Sequence, residues 1–190
     1  MKLKNKLVLI GDSGVGKTSV VQRYLSKTFN QSVYPTVGAA FSKATYNFND
    51  KTEEVQIWDT AGEERFQSMT PIYIQNAFGA IIVFDVTNRD TFEHIPRWIS
   101  IYKNIVDSPF IICANKTDIE SESKISESEI EEFANSVSST YVMTSALTGD
   151  GLDVLFSEIF QRSFEYKSEP VKGRKNDVDI EETNGKSYCC

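Results

Sequence analysis

Two hydrophobic periodicities alternate along this chain. Leu7-Val8-Leu9-Ile10 and residues 80–84 and 110–114 are unbroken apolar runs, as expected for strands buried on both faces of a sheet. Residues 44–48 and 53–58 read as two more short strands, joined at Asn49-Asp50-Lys51 by a hairpin turn. Residues 19–25 can continue from the first strand as a helix. Ile95, Trp98, Ile99, Tyr102 and Ile105 recur at helical spacing, with Pro96 setting the first turn. Ser126-Glu127-Ser128-Glu129 has the form of a capping box, and Ile130, Phe133, Ala134 and Val137 follow along one helix face. Residues 140–143 give the last strand, and Leu152, Leu155, Phe156, Ile159 and Phe160 mark a closing amphipathic helix. This alternation predicts an α/β, doubly wound fold: a mostly parallel sheet with flanking helices and ligand loops at the strand C-termini. Beyond residue 166 the periodicity stops. Residues 1–166 read as one domain, and 167–190, which mix Lys, Glu, Asp, Gly and Pro, as a disordered tail.

Composition narrows the function. A 40% hydrophobic fraction supplies a core, and no apolar run approaches the roughly 20 residues that span a bilayer. Met1-Lys2-Leu3-Lys4-Asn5 leads straight into the first strand, which predicts no signal peptide and a cytosolic chain. The net charge of -7 argues against nucleic acid as a partner, because neutralising phosphates needs clustered Lys and Arg. Three cysteines make no disulfide framework: Cys113 lies in an apolar run as a small core residue, and Cys189 and Cys190 end the chain.

The chemistry concentrates in Gly11-Asp12-Ser13-Gly14-Val15-Gly16-Lys17-Thr18, followed by Ser19. Two glycines four residues apart precede Lys and Thr, between a strand and a helix, which is the context a phosphate-binding loop requires. Gly11, Gly14 and Gly16 let the backbone turn its N–H groups inward at a helix N-terminus. Lys17 would place an ammonium on the outer phosphates, and the Thr18 hydroxyl would ligate Mg²⁺. The base is chosen elsewhere. In Asn115-Lys116-Thr117-Asp118, after the strand ending at Ala114, the Asp118 carboxylate can accept guanine's ring N–H and exocyclic amine together. Adenine lacks that donor edge and would leave Asp118 unpaired. In Trp58-Asp59-Thr60-Ala61-Gly62, Asp59 would support Mg²⁺ and the Gly62 N–H would meet the outer phosphate. Thr36, in Tyr34-Pro35-Thr36, reaches Mg²⁺ when that phosphate is present, so both loops can alternate between order and disorder. The lone His94 reads as part of a helix start without a catalytic role.

Over residues 5–166 and again at its end, the chain resembles the Ras-like small GTPases, and more closely their Rab branch. The resemblance implies a three-layer P-loop G domain with a six-stranded, mostly parallel sheet. It also implies GTP and GDP as ligands, Mg²⁺, a monomeric state, and GTP hydrolysis in which Lys17, Thr36, Gly62 and residue 63 take part. Phe29 would flank the base, and Thr144-Ser145-Ala146 would form a third guanine loop. Implied partners are exchange factors, activating proteins, a dissociation inhibitor, a prenylation escort, and effectors reading Phe41, Trp58 and Tyr73. Those three aromatics fit ordinary core packing equally well. Val37-Gly38-Ala39-Ala40-Phe41, the stretch 58–66 and Cys189-Cys190 point to the Rab branch. Gly38-Ala39-Ala40-Phe41 resembles the version common in early-endosomal members, which implies the cytoplasmic face of an intracellular membrane, with cycling through the cytosol.

The chain departs from that pattern at three places. Tyr73-Ile74-Gln75-Asn76 stands for Tyr-Tyr-Arg-Gly, Leu147 for a Lys in the third guanine loop, and Glu63 for a Gln. Glu63 leaves two readings open: a slow GTP hydrolase that switches membrane traffic, or a GTP-holding pseudo-GTPase that recruits partners. The tail, with five basic and five acidic residues, has no polybasic patch, so prenylation of both Cys189 and Cys190 would have to supply the membrane anchor.

Overall fold

The computed structural model describes residues 5–30, 35–62, 69–119 and 122–168. Its elements in chain order are β1 (Asn5–Ile10), α1 (Lys17–Ser26), β2 (Ala39–Phe48), β3 (Lys51–Thr60), α2 (Thr70–Ile74), β4 (Gly79–Asp85), α3 (Arg89–Glu93), α4 (Ile95–Lys103), β5 (Phe110–Asn115), α5 (Glu127–Ser136), β6 (Tyr141–Thr144) and α6 (Leu152–Ser168). Six strands form one sheet in the order β2-β3-β1-β4-β5-β6. Only β2 runs antiparallel to its neighbour; the pairs β1·β3, β1·β4, β4·β5 and β5·β6 are parallel.

The apolar runs lie in the middle of the sheet and feed two cores. Leu7 and Leu9 of β1, Ile81 and Val83 of β4, and Ile111 and Cys113 of β5 face α1 and α6. The intervening Val8, Ile10, Ala80, Ile82, Phe84, Phe110, Ile112 and Ala114 face a second core with Trp98, Tyr102 and Ile130. A strand with period two and helices on both sides needs apolar residues at every position. An aromatic group closes the first core, with Tyr24 stacked on Phe156 at 3.8 Å and Phe164 meeting Tyr46, Phe48 and Phe78.

Several elements differ from the sequence reading. The hairpin turn has two residues, Asn49 and Asp50, at φ 49° and 60°, while Lys51 pairs with Phe48 as the first residue of β3. Two successive positive φ angles are the type I′ geometry that continues the strand twist. β2 begins five residues earlier than expected, at Ala39, because its first half pairs with β3 at the sheet edge. The helix expected through Ile105 ends at Lys103, and a five-residue helix, α3, precedes it, with His94 between the two. Ser126 accepts from the Glu129 N–H, but the Glu129 carboxylate is engaged by Arg89 at 2.5 Å, so only half of the capping box forms.

β1 is flanked by β3 on one side and β4 on the other, and the direction of winding reverses there. The loops after β1, β3, β5 and β6 therefore converge at the C-terminal edge of the sheet, where doubly wound folds hold ligands.

Candidate nucleotide site

The loop 11–16 leaves β1 and enters α1 through Gly16, a left-handed N-cap with φ 95° and no side-chain capping bond. Among the described residues no side chain caps the first N–H groups of α1, which can serve an anion. A Cβ at Gly16 would stand 2.4 Å from Asn115 Nδ2, so the loop passes directly over Asn115. Lys17 is buried, and its Nζ donates to the carbonyls of Gly11 at 2.8 Å and Asp12 at 2.6 Å. Burial lowers its pKa to about 8, against the opposing pull of the Asp59 and Asp12 carboxylates. Gly62 lies across the same point: a Cβ there would meet the Asp12 carbonyl group and Lys17 Nζ at 2.4 Å.

Oxygen-bearing side chains from three segments meet beside Lys17. Thr18 Oγ1 donates to Asp59 Oδ2 at 2.6 Å, and the Thr18 and Thr36 hydroxyls lie 2.9 Å apart. Thr36 Oγ1 also reaches Asp59 Oδ2, at 3.4 Å. Asp59 Oδ1 is buried with no hydrogen-bond partner among the described residues. Burial raises the Asp59 pKa, while the Thr18 bond, the Lys17 charge and the Thr36 bond oppose it. A buried carboxylate oxygen without a partner beside two hydroxyls fits a hard divalent cation completed by phosphate oxygens, as Mg²⁺ prefers. The loop before β2 is tied to the end of β3, since the Ala61 N–H donates to the Gly38 carbonyl at 2.8 Å. Ser13, Gly14, Gly16, Lys17, Thr18, Ser19, Pro35, Thr36, Thr60 and Gly62 enclose a cleft of about 230 Å³.

A second cleft, of about 400 Å³, shares Gly14, Gly16 and Ser19 with the first and continues to Phe29, Asn115, Lys116, Asp118, Ala146 and Leu147. Asn115 is its staple. Its Nδ2 donates to the Val15 carbonyl at 2.9 Å, and its Oδ1 accepts from the Ala146 N–H at 3.2 Å and from Thr144 Oγ1 at 3.3 Å. One fully buried amide thus joins the loops after β1, β5 and β6. Ser145 Oγ donates to Asp118 Oδ1 at 2.6 Å. Lys116, at φ 70°, sends its ammonium to Asp85 at 2.5 Å. Leu147, an exposed apolar residue, lines this cleft together with Phe29.

Of the residues expected to hold nucleotide or metal, Ser13, Gly14, Gly16, Lys17, Thr18, Ser19, Phe29, Thr36, Gly62, Asn115, Lys116, Asp118, Ala146 and Leu147 line the two clefts, Asp59 and Ser145 bond to that lining, and Gly11, Asp12 and Val15 contribute backbone carbonyls to it. Glu63, Tyr34, Cys189 and Cys190 lie outside the described residues. Phe41, Trp58 and Tyr73 form a run of ring contacts, at 5.8 Å and 6.2 Å, with Phe41 exposed. Sequence reasoning did not find Asp85 as the partner of Lys116, nor Arg23, which holds the loop after β6 by donating to the Thr148 carbonyl at 2.6 Å. The position of Asp85, at the end of an apolar strand leading into a loop, was the available signal.

Residues 6–165 match the model of the Ras family. A "Probable Rab-related GTPase" of Acanthamoeba polyphaga mimivirus is 39% identical over 91% of this chain and 82% of its own length. "Ras-related protein Rab-21" of Mus musculus is 38% identical over 84% of the chain and 73% of its own length. "Ras-related protein Rab-22A" of the same organism is 32% identical over 97% of both chains. The chain belongs to the Ras family. Within it the chain is a Rab-branch small GTPase, a GTP hydrolase that binds GTP or GDP with Mg²⁺.

Proposed function

We propose that this protein is a membrane-traffic switch, holding GTP in one conformation and GDP in the other, with slow intrinsic conversion between them. The observation that carries this reading is the meeting of the Thr18 and Thr36 hydroxyls at Asp59 Oδ2, while the other carboxylate oxygen, Oδ1, is buried without a partner among the described residues. Thr36 comes from the loop before β2, so its place in the cluster depends on what the cluster holds. Bound Mg²⁺ would neutralise charge on the outer phosphates, with Thr18, Thr36 and Asp59 as its protein-side anchors.

The remaining roles follow from position. The loop 11–16 and the first turn of α1 cradle the inner phosphates, and Lys17 turns from the Gly11 and Asp12 carbonyls toward the outer ones. The Gly62 N–H is the donor for the outer phosphate. Asp118, fixed by Ser145, reads guanine, while Phe29, Lys116 and Leu147 enclose the base. In hydrolysis water attacks the γ-phosphorus in line, the bond to the β–γ bridging oxygen breaks, and GDP leaves with that electron pair. Effectors would read the Phe41, Trp58 and Tyr73 patch. Exchange factors, activating proteins, a dissociation inhibitor and a prenylation escort complete the cycle. Prenylated Cys189 and Cys190 would hold the GTP form on the cytoplasmic face of an intracellular, endosomal membrane.

Glu63 favours a second reading, a recruitment module that holds GTP with negligible turnover. Single-turnover hydrolysis of preloaded GTP separates the two. Phosphate release that completes within hours supports the switch; intact GTP after a day supports the module.

A further inference from the structure

The Asp12 carboxylate, inside the phosphate loop, does not point at the phosphate site. Trp98 Nε1–H donates to Asp12 Oδ1 at 2.8 Å, and His94 Nδ1 lies 2.6 Å from Asp12 Oδ2. An ionised carboxylate only accepts, so the His94 tautomer with a proton on Nδ1 is assigned by this contact. Both donors come from the start of α4: His94 is its N-cap, and Trp98 is one turn in, with its ring 2% exposed in the second core. A buried indole has one polar hydrogen, and this one is spent on the loop. The same Asp12 offers its carbonyl to Lys17 Nζ at 2.6 Å and packs that carbonyl against Gly62. The start of α4 is thereby coupled, through one residue, to the ammonium and to the glycine that flank the outer-phosphate position.

We propose that His94 and Trp98 are positioning residues of the phosphate loop, which fix Asp12 and so slow nucleotide release. A carboxylate free to swing inward would repel polyphosphate, and a loop free to move would lose the inward alignment of its N–H groups. Two donors on a rigid helix start prevent both. The inference rests on loop 11–18 being the nucleotide cradle, which GDP binding by the unaltered protein tests separately.

The test is a double-mutant cycle read as the dissociation rate of a fluorescent GDP analogue from full-length protein with Mg²⁺. Trp98→Phe keeps the ring and removes the N–H; His94→Ala changes a half-exposed side chain outside the core. Each is expected to raise the release rate on the order of tenfold, the scale of a lost hydrogen bond to a charged group. His94→Asn, whose Nδ2 can stand where His Nδ1 stood, should stay within about threefold of wild type. In an Asp12→Ala background, Trp98→Phe and His94→Ala should each change release by less than about twofold, because their common acceptor is gone. Wild-type release rates in His94→Ala and Trp98→Phe would overturn the proposal. So would equal effects with and without Asp12, since packing alone would act in both backgrounds.

Discussion

Ser145 Oγ donates to Asp118 Oδ1 at 2.6 Å, binding the loop after β6 to the loop after β5. The bond fixes the plane of a carboxylate whose remaining lone pairs can accept two N–H groups from one edge of guanine. Asp118→Asn replaces an acceptor by an amine facing donors, so GTP affinity should fall by roughly 1–3 kcal/mol. The same variant should gain affinity for xanthosine triphosphate, which presents an acceptor at that edge. Competition binding with GTP, XTP and ATP measures this. Equal affinity of the wild type for ATP and GTP would remove guanine selectivity from Asp118.

The position of Lys17 predicts a pH dependence with a definite sign. Burial holds its ammonium at a pKa of about 8 in the nucleotide-free protein. Phosphate oxygens favour the charged form, so the bound pKa is higher than the free one. Below pH 8 both forms carry the proton and this group adds no slope. Above pH 8 the free protein has lost it, binding must take it up, and affinity should fall by up to about tenfold per pH unit. GDP titrations between pH 7 and 9 should show the downturn, and Lys17→Met should bind weakly without it. A wild-type affinity flat to pH 9 would show that Lys17 is already fully charged when free.

A packing prediction concerns the crossing of α6 over β4. Ser163 is fully buried with its Oγ unpartnered among the described residues, and a Cβ at Gly79 would stand 2.2 Å from that oxygen but 3.4 Å from Ser163 Cβ. Ser163→Ala removes an unsatisfied hydroxyl at almost constant volume and should be neutral or stabilising by about 1 kcal/mol. Gly79→Ala alone should cost roughly 1–3 kcal/mol through overpacking. Combined with Ser163→Ala, the same change should cost almost nothing, because the clashing atom is gone and the extra methyl restricts the unfolded chain. Urea denaturation of the four proteins measures the coupling.

The site was legible where its chemistry is contiguous in the chain. Residues 11–18 and 115–118 each carry a local pattern tied to a preceding apolar strand. The buried strands were legible because period two, covered on both faces, leaves no polar position. What escaped has no local period. Helices α2 and α3 have five residues each, too short for a 3.6-residue repeat to appear. The first half of β2 is an edge strand with exposed Ala40, Phe41 and Lys43, so its pattern is mixed. The Asp12 contacts join residues 82 and 86 positions apart, and the Lys116–Asp85 pair joins two strand ends. Such pairings follow from strand order, which the linear pattern does not encode.

The tail yields a test in cells. With five basic and five acidic residues after position 166, electrostatic attraction to anionic lipid cannot supplement a single lipid chain. Two prenyl groups on Cys189 and Cys190 would provide both anchors. Deleting the two residues should move the protein wholly into the soluble fraction while GDP affinity stays within about twofold. Mass spectrometry of the membrane-bound pool should find both thiols alkylated; unmodified cysteines there would refute the anchor.

Glu63 follows directly on Gly62, whose backbone packs against the Asp12 carbonyl and Lys17 Nζ at the outer-phosphate end of the cleft. An amide at position 63 could accept from the attacking water and donate toward the transferring phosphoryl group. An ionised carboxylate only accepts, and it adds negative charge near phosphate oxygens that are already anionic. Glu63→Gln should therefore raise the intrinsic single-turnover rate by about tenfold or more, equivalent to at least ~1.4 kcal/mol of barrier. GDP affinity should barely move, because the base and inner-phosphate contacts proposed above are assigned to residues 11–19, 115–118 and 145–147. Glu63→Ala separates charge from the missing donor: a gain with Gln but not with Ala assigns the effect to the amide's hydrogen bonds, and equal gains assign it to the lost charge. A rate unchanged in Glu63→Gln would show that residue 63 does not limit the chemistry.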